Sequence, residues 1–308
     1  LATVFALSVI GCGTKDTKEQ DAYRQYGITC MESGKYEDAV KAFQNALGES
    51  IGHIGEKELD ICFYKAKAQA LDGKTKDALA TYNAIIKYNK DARAYYLRGD
   101  LYMDMGEEKK GKADFESAVQ HGKKNYEIYI GIYESLSRHE KKDEGQKYLS
   151  AAMEIKGDKP EDELYKGRIS YLLGENKDAI SYLEKAKEHK QMLASYYLGL
   201  AYDANGDSDK AKKCIAEYIK SGVATSYDLY ELGMQEMQDG NYKNALTYFN
   251  SGLELEKVPN KQNLMKSAIA AYEYSGDFDS AKKMMKEYLK AYPDDEEAKH
   301  ENIFLETR

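Results

Sequence analysis

The sequence has no tryptophan and only three prolines among its 308 residues. Proline removes a backbone N–H and clashes with the preceding helical turn, so its scarcity favours helical structure. No block of one charge sign stands out either: basic and acidic residues are mixed, and the formal net charge is −8. Nucleic-acid binding needs a concentrated basic surface, so this pattern argues against nucleic acid as a partner.

Motifs of catalysis and metal binding are also missing from the sequence. It contains no P-loop, no GxSxG elbow and no HExxH, and its five histidines form no pair at helical spacing. The stretch DANGDSD at 203–209 alternates Asp and Asn like a calcium loop, but it lacks the required glycine and closing glutamate. We therefore expect no catalytic residue, no metal and no cofactor, and we expect that the protein is not an enzyme.

Three of the four cysteines lie inside the main part of the chain, at Cys30, Cys62 and Cys214. Their spacing matches no metal-binding or disulfide framework. A free cysteine behaves as a small apolar residue, so we expect these three to lie in a core.

What the sequence does contain is a phrase that recurs along the chain. GKYEDA at 34–39 returns as GKTKDA at 73–78, GENKDA at 174–179 and GDFDSA at 276–281. Each copy closes on a small residue, and these residues are Ala39, Ala78, Gly111, Gly145, Ala179, Ala211, Ala245 and Ala281. Neighbours in this series are 32 to 39 residues apart. A period of that length predicts an array of stacked structural units.

Each copy has a physical interpretation as the turn of a helical hairpin. The glycine ends one helix, polar residues form the turn and cap the next helix, and the small residue allows close helix packing. A second small residue usually stands twelve positions earlier, as at Gly27 and Gly99. In the fourth copy Gly131 stands fourteen positions before Gly145, which predicts two extra residues in that turn.

This pattern of small and aromatic residues resembles the tetratricopeptide repeat. The resemblance implies an all-α fold: a right-handed superhelical solenoid of about eight helical hairpins, over residues 21–293. Residues 294–308 are expected to form a C-terminal capping helix over the last hydrophobic edge.

In that family the first helix of each hairpin lines a concave groove that binds protein segments. The resemblance places the lining residues at fixed offsets from the small residue of the first helix. The candidate groove residues are Phe63, Arg93, Tyr96, Met103, Leu164, Arg168, Tyr171, Tyr196, Leu200, Tyr227, Tyr230, Met234, Met237 and Tyr274. Tyrosine and methionine suit a peptide groove, although packing between neighbouring repeats would also account for such side chains.

The N-terminal segment, LATVFALSVIGC, is apolar, uncharged and too short to span a bilayer. An apolar run that ends in small residues before a cysteine resembles a bacterial lipoprotein signal. It implies a signal peptide over residues 1–11, truncated upstream, a lipidated Cys12 and a polar tether over 12–20. A frayed apolar tail or another processing site is the alternative.

The function expected from these features is a non-catalytic, protein-binding scaffold or adaptor. It would be a lipoprotein on the extracytoplasmic face of a bacterial cell membrane, with its lipid anchor in the bilayer and a protein or peptide segment in its groove. The alternative is a ligand-capture lipoprotein that passes peptides or glycans to a transporter.

Overall fold

The computed structural model describes residues 17–50, 54–157 and 159–308, and every regular element in these ranges is an α-helix. The helices are α1 (Thr17–Glu32), α2 (Tyr36–Gly48), α3 (Glu56–Leu71), α4 (Thr75–Asn89), α5 (Ala92–Asp104), α6 (Glu108–His121), α7 (Tyr126–Arg138), α8 (Lys142–Met153), α9 (Pro160–Leu173), α10 (Asn176–Glu188), α11 (Leu193–Ala204), α12 (Ser208–Lys220), α13 (Ser226–Gln238), α14 (Tyr242–Leu253), α15 (Lys261–Tyr274), α16 (Phe278–Ala291) and α17 (Glu296–Glu306). The predicted all-α fold is confirmed.

Consecutive helices pair into hairpins, so that α1 packs on α2, α3 on α4, and so on to α15 on α16. The helices described thus form eight hairpins and one final helix, α17, as predicted. The contacts divide the chain into an N-terminal unit that ends at Ile215 and a C-terminal unit that begins at Ala216. First helices also contact each other within a unit, as α5 contacts α7 and α13 contacts α15.

The close approach of the two helices in a hairpin depends on the predicted small residues. A β-carbon on Gly27 would lie 2.6 Å from the ring of Phe43, which is fully buried. The large residues expected four positions after each closing small residue, such as Phe115, Leu183 and Phe249, are likewise fully buried. Because protein interiors are close-packed, a large side chain on one helix of the hairpin requires a small residue opposite it on the other.

The fourth hairpin corrects one sequence prediction. Its turn, residues 139–141, has three residues, the same number as most other hairpins, so the two extra residues predicted from Gly131 are absent. Tyr133 is the residue of α7 at the point where the two helices cross, because a β-carbon on Gly145 would lie 3.1 Å from the Tyr133 Cα atom. Gly131 instead accommodates Tyr96 of α5, whose ring a β-carbon at Gly131 would approach to 2.6 Å.

The N-terminal boundary also differs from the sequence prediction. Cys12, the predicted signal peptide and most of the tether lie outside the described residues. Helix α1 begins at Thr17, inside the predicted tether, and Gln20 is buried with its side-chain amide donating to Glu58 over 2.9 Å. Residues 17–20 therefore belong to the first hairpin.

The cysteines show no disulfide within the described ranges. Cys30 and Cys214 are buried, as expected of small core residues, whereas Cys62 is half-buried. Burial raises the pKa of the Cys62 thiol.

The turns use a left-handed residue to end each first helix. Gly34 has φ +70°, and the next amide, of Lys35, donates to the carbonyl of Cys30 over 2.8 Å. The fourth hairpin makes the same closure with Glu140 at φ +61°. A side chain with a β-carbon is strained there, since the left-handed conformation brings Cβ close to the following carbonyl oxygen.

Replacing Glu140 with glycine should therefore stabilise the protein. We expect Glu140→Gly to raise the free energy of unfolding by about 1 kcal/mol, the approximate difference for a residue with positive φ. Urea unfolding followed by circular dichroism measures the change. Glu140→Ala is the control, because it removes the same side chain but keeps the β-carbon; an equal gain from alanine would contradict the backbone explanation.

Candidate partner-binding surface

The candidate surface is the side of each first helix that carries the predicted groove positions, called the inner face below. It is described separately for the two units. In each unit neighbouring first helices contact one another, so their inner-face side chains are brought side by side.

In the N-terminal unit, charged pairs connect consecutive first helices across the inner face. The Arg24 guanidinium of α1 donates to Asp60 of α3 over 2.7 Å. Arg138 of α7 donates to Asp100 of α5 over 2.6 Å. These pairs are partly solvated, so each contributes little stability, but each places opposite charges of neighbouring first helices in contact.

Arg168 of α9, a predicted groove residue, belongs to the same series. It donates to Glu134 of α7 over 3.0 Å and to Glu127 over 3.3 Å, and its guanidinium lies 5.5 Å from the ring centre of Tyr197. Arg93, which is exposed, lies over the ring of Phe63 at 4.6 Å. Both arginines are therefore engaged with neighbouring first helices rather than left free for a partner.

The remaining predicted residues of the N-terminal unit are largely packing residues. Met103 and Leu164 are only 5% and 8% exposed, so they belong to the core and line no surface. Tyr96 is half-buried between Phe115 and Gly131, and burial raises its pKa. Three further residues are half-buried, namely Tyr171, Tyr196 and Leu200.

The C-terminal unit presents a different inner face. Tyr227 at the start of α13 is 56% exposed, and Tyr274 at the end of α15 is 68% exposed. Tyr274 stacks on Tyr242 with ring centres 5.4 Å apart. Exposed aromatic side chains are enriched at sites where proteins bind one another.

Between these ends, α13 continues the same stripe with Tyr230, Met234 and Met237, which are all half-buried against the hairpin core. The Tyr230 ring packs on Phe249 with centres 6.2 Å apart. Residues 227, 230, 234 and 237 follow helical spacing, so they share one face of α13. The C-terminal unit thus brings together the predicted tyrosines and methionines on a partly exposed, uncharged stripe.

Two carboxyl groups of the C-terminal unit have pKa values that are shifted in opposite directions. Lys266 donates to Asp295 over 2.8 Å, and the Tyr288 hydroxyl and the Ala298 amide donate to the same carboxylate. These three hydrogen bonds hold the pKa of Asp295 well below its usual range. Burial, together with the neighbouring Glu301 carboxylate, raises the pKa of Glu273 to about 7. Its Oε1 atom is buried and has no hydrogen-bond partner.

Sequence reasoning missed both the ion pairs and the Glu273–Glu301 contact. The paired residues are 28 to 41 positions apart, as in Glu273–Glu301 and Arg168–Glu127. These separations are close to the repeat length. Comparing inner-face positions one repeat apart in the sequence would therefore have indicated which residues can pair.

Metal binding and membrane crossing are two other functions that the described ranges bear on. These ranges contain no group of three or more His, Cys, Asp or Glu side chains that could hold a metal ion. Nor does any helix there have the length and apolar character that a bilayer crossing requires.

Comparison with known proteins identifies the repeats. Three sequence models described as tetratricopeptide repeat match the chain, one at residues 27–86, one at 92–120 and one at 193–221 and 262–295. A search of curated proteins gave no significant match.

Solved structures with similar folds include a tetratricopeptide repeat protein from Parabacteroides merdae, at 12% identity and a TM-score of 0.48, covering 82% of this chain and 99% of that one. The Cut9–Hcn1 hetero-tetramer of APC/C matches at 15% identity and a TM-score of 0.45, covering 94% of this chain and 56% of that one. PilW, a type IV pilus biogenesis factor, matches at 18% identity and a TM-score of 0.45, covering 68% and 97%.

Proposed function

Because the chain is a tetratricopeptide repeat protein, we propose that it is a non-catalytic scaffold that binds a segment of a protein partner. The observation that carries the proposal is the inner face of the C-terminal unit, where Tyr227 and Tyr274 expose more than half of their surface. Tetratricopeptide repeats suggest protein interaction in general, and the exposed tyrosines support this face as its proposed location.

The chemistry of the stripe supports a protein segment as the ligand. Tyrosine offers a large apolar face with a polar tip, and it loses little conformational entropy on binding. Methionine adapts its shape to different apolar side chains. Tyr230, Met234 and Met237 are fixed by the core beneath them, so the surface is largely formed before a partner arrives.

The proposed location is the extracytoplasmic face of a bacterial membrane, with a lipid on Cys12. The support is the sequence LATVFALSVIGC, in which an apolar run is followed by small residues and a cysteine. Lipid chains bury in the bilayer by the hydrophobic effect, and the folded repeats would then lie close to the membrane surface.

A capture experiment tests the scaffold function. The tagged protein is incubated with solubilised membranes of its native organism and recovered on an affinity resin. It should retain a protein partner in stoichiometric amount. We expect Tyr227→Ala with Tyr274→Ala to reduce recovery of that partner at least tenfold, since hot-spot aromatic residues contribute most of the binding energy. Circular dichroism checks that the helix content is unchanged.

Tyr26→Ala is the matched control, because Tyr26 is 57% exposed on α1 but lies outside the predicted groove positions. It should leave recovery unchanged. Absence of any stoichiometric partner would contradict the scaffold function, and equal loss with Tyr26→Ala would contradict the location of the surface.

Lipid attachment has its own test. Expressed from its native gene and labelled with an alkyne fatty acid, the protein should incorporate the label and partition into detergent. Cys12→Ser should abolish both, because the thiol is the atom that the lipid modifies. Label that persists in the serine variant, or an unlabelled natural protein, would contradict the anchor.

A further inference from the structure

Charge in the C-terminal unit is distributed unevenly between first and second helices. Helix α13 carries three carboxylates and no lysine or arginine, and α17 carries four glutamates against one lysine. In contrast, α16 carries four lysines against one aspartate and one glutamate. Helix α15 is the exception, with two lysines against one glutamate, but α13, α15 and α17 taken together are acidic, whereas α16 is basic.

The inner-face cation of α15 is already neutralised within the unit. Lys266 lies 2.8 Å from Asp295 and 3.4 Å from Glu297. An acidic ligand would have to displace these two carboxylates, so Lys266 is not available to bind one.

Glu273 adds a carboxyl group on the first helix that neighbours α13. It lies four residues after Ile269 in α15, as Met237 lies four residues after Gly233 in α13, so both are on the inner face. Glu301 of α17 acts on it as a like charge, and no cation of α13, α14, α16 or α17 does so. The two carboxyl groups share a hydrogen bond, which requires a proton on one of them, so the fully ionised pair is unfavourable unless it meets a cation.

We propose that the inner face of the C-terminal unit binds a basic amphipathic segment, with apolar side chains on the Tyr227–Met237 stripe and a lysine or arginine on Glu273 and Glu301. This inference rests on the proposed scaffold function and names the class of partner. Complementary charge selects a partner by steering its approach and by disfavouring segments of like charge.

Binding of the cation is coupled to a proton. The pKa of Glu273 is about 7 in the empty protein, so near neutral pH the Glu273–Glu301 pair holds a proton for part of the time. A lysine or arginine favours the ionised pair and releases that proton to solvent. Affinity should therefore be higher above pH 7 than below it, while the lysine of the ligand stays charged throughout.

Other titratable groups near this face set the design of the test. Asp295 remains ionised because of its partners, and Glu297 pairs with Lys266. His300 of α17 is exposed and directly precedes Glu301 in the sequence. The pH series is therefore measured in a His300→Gln background.

The experiment uses three synthetic helical peptides that share one leucine face and differ in the opposite face, which carries lysine, glutamine or glutamate. Fluorescence anisotropy with the full chain measures Kd at pH 8 and pH 5.5. We expect the lysine peptide to bind at least tenfold more tightly than the glutamate peptide at pH 8, and to weaken several-fold at pH 5.5.

Glu273→Gln with Glu301→Gln should remove most of this preference and flatten the pH dependence. The matched control, Glu256→Gln with Glu287→Gln, removes the same charge from exposed positions elsewhere in the unit and should change neither. Tyr230→Ala should weaken all three peptides.

Equal affinity for the three peptides, all weakened by Tyr230→Ala, would overturn the charge inference and leave the groove intact. If both double glutamine variants reduced the preference equally, the attraction would be non-specific, and the charge inference would be overturned. Absence of binding by every peptide would also overturn it, while the capture experiment decides separately whether the scaffold function holds.

Discussion

The close crossing of the two helices in each hairpin is the contact on which the rest of the structure depends. In the third hairpin a β-carbon on Gly99 would lie 3.0 Å from the Gly111 carbonyl oxygen, and one on Gly111 would lie 2.9 Å from that of Gly99. This distance sets where the buried ring of Phe115 fits and which side of α5 remains outside the hairpin. The inner face is therefore a consequence of the crossing, repeated from hairpin to hairpin.

The fourth hairpin shows that the constraint applies to a pair of positions and not to one residue. Tyr133 is tolerated at the crossing because Gly145 faces it, and Gly131 is then free to receive Tyr96 from the preceding first helix. The repeat pattern in the sequence predicted the hairpins because both members of each crossing lie within one repeat. It misassigned this hairpin because it treated the glycine of the first helix as the marker of the crossing.

The candidate surface was less predictable than the fold, because it depends on contacts between repeats. Sequence offsets placed Arg168, Tyr227 and Met234 on the inner face, but they could not show that Arg168 is bound by two glutamates of α7. Nor could they show that Met103 is buried, since rotation of the helix by a fraction of a turn moves a side chain from the surface to the core. The two units consequently differ: ion pairs join consecutive first helices of the N-terminal unit, whereas Tyr227 and Tyr274 are exposed on the inner face of the C-terminal unit.

Photo-crosslinking tests most directly the claim that the partner lies on the inner face of the C-terminal unit. Benzoylphenylalanine is placed at position 227, 274 or 283, the last of which is an exposed lysine on α16 and belongs to the opposite side of that hairpin. Our account predicts a crosslink to the captured partner from 227 and 274 and none from 283. A crosslink from 283 with none from 227 or 274 would contradict it.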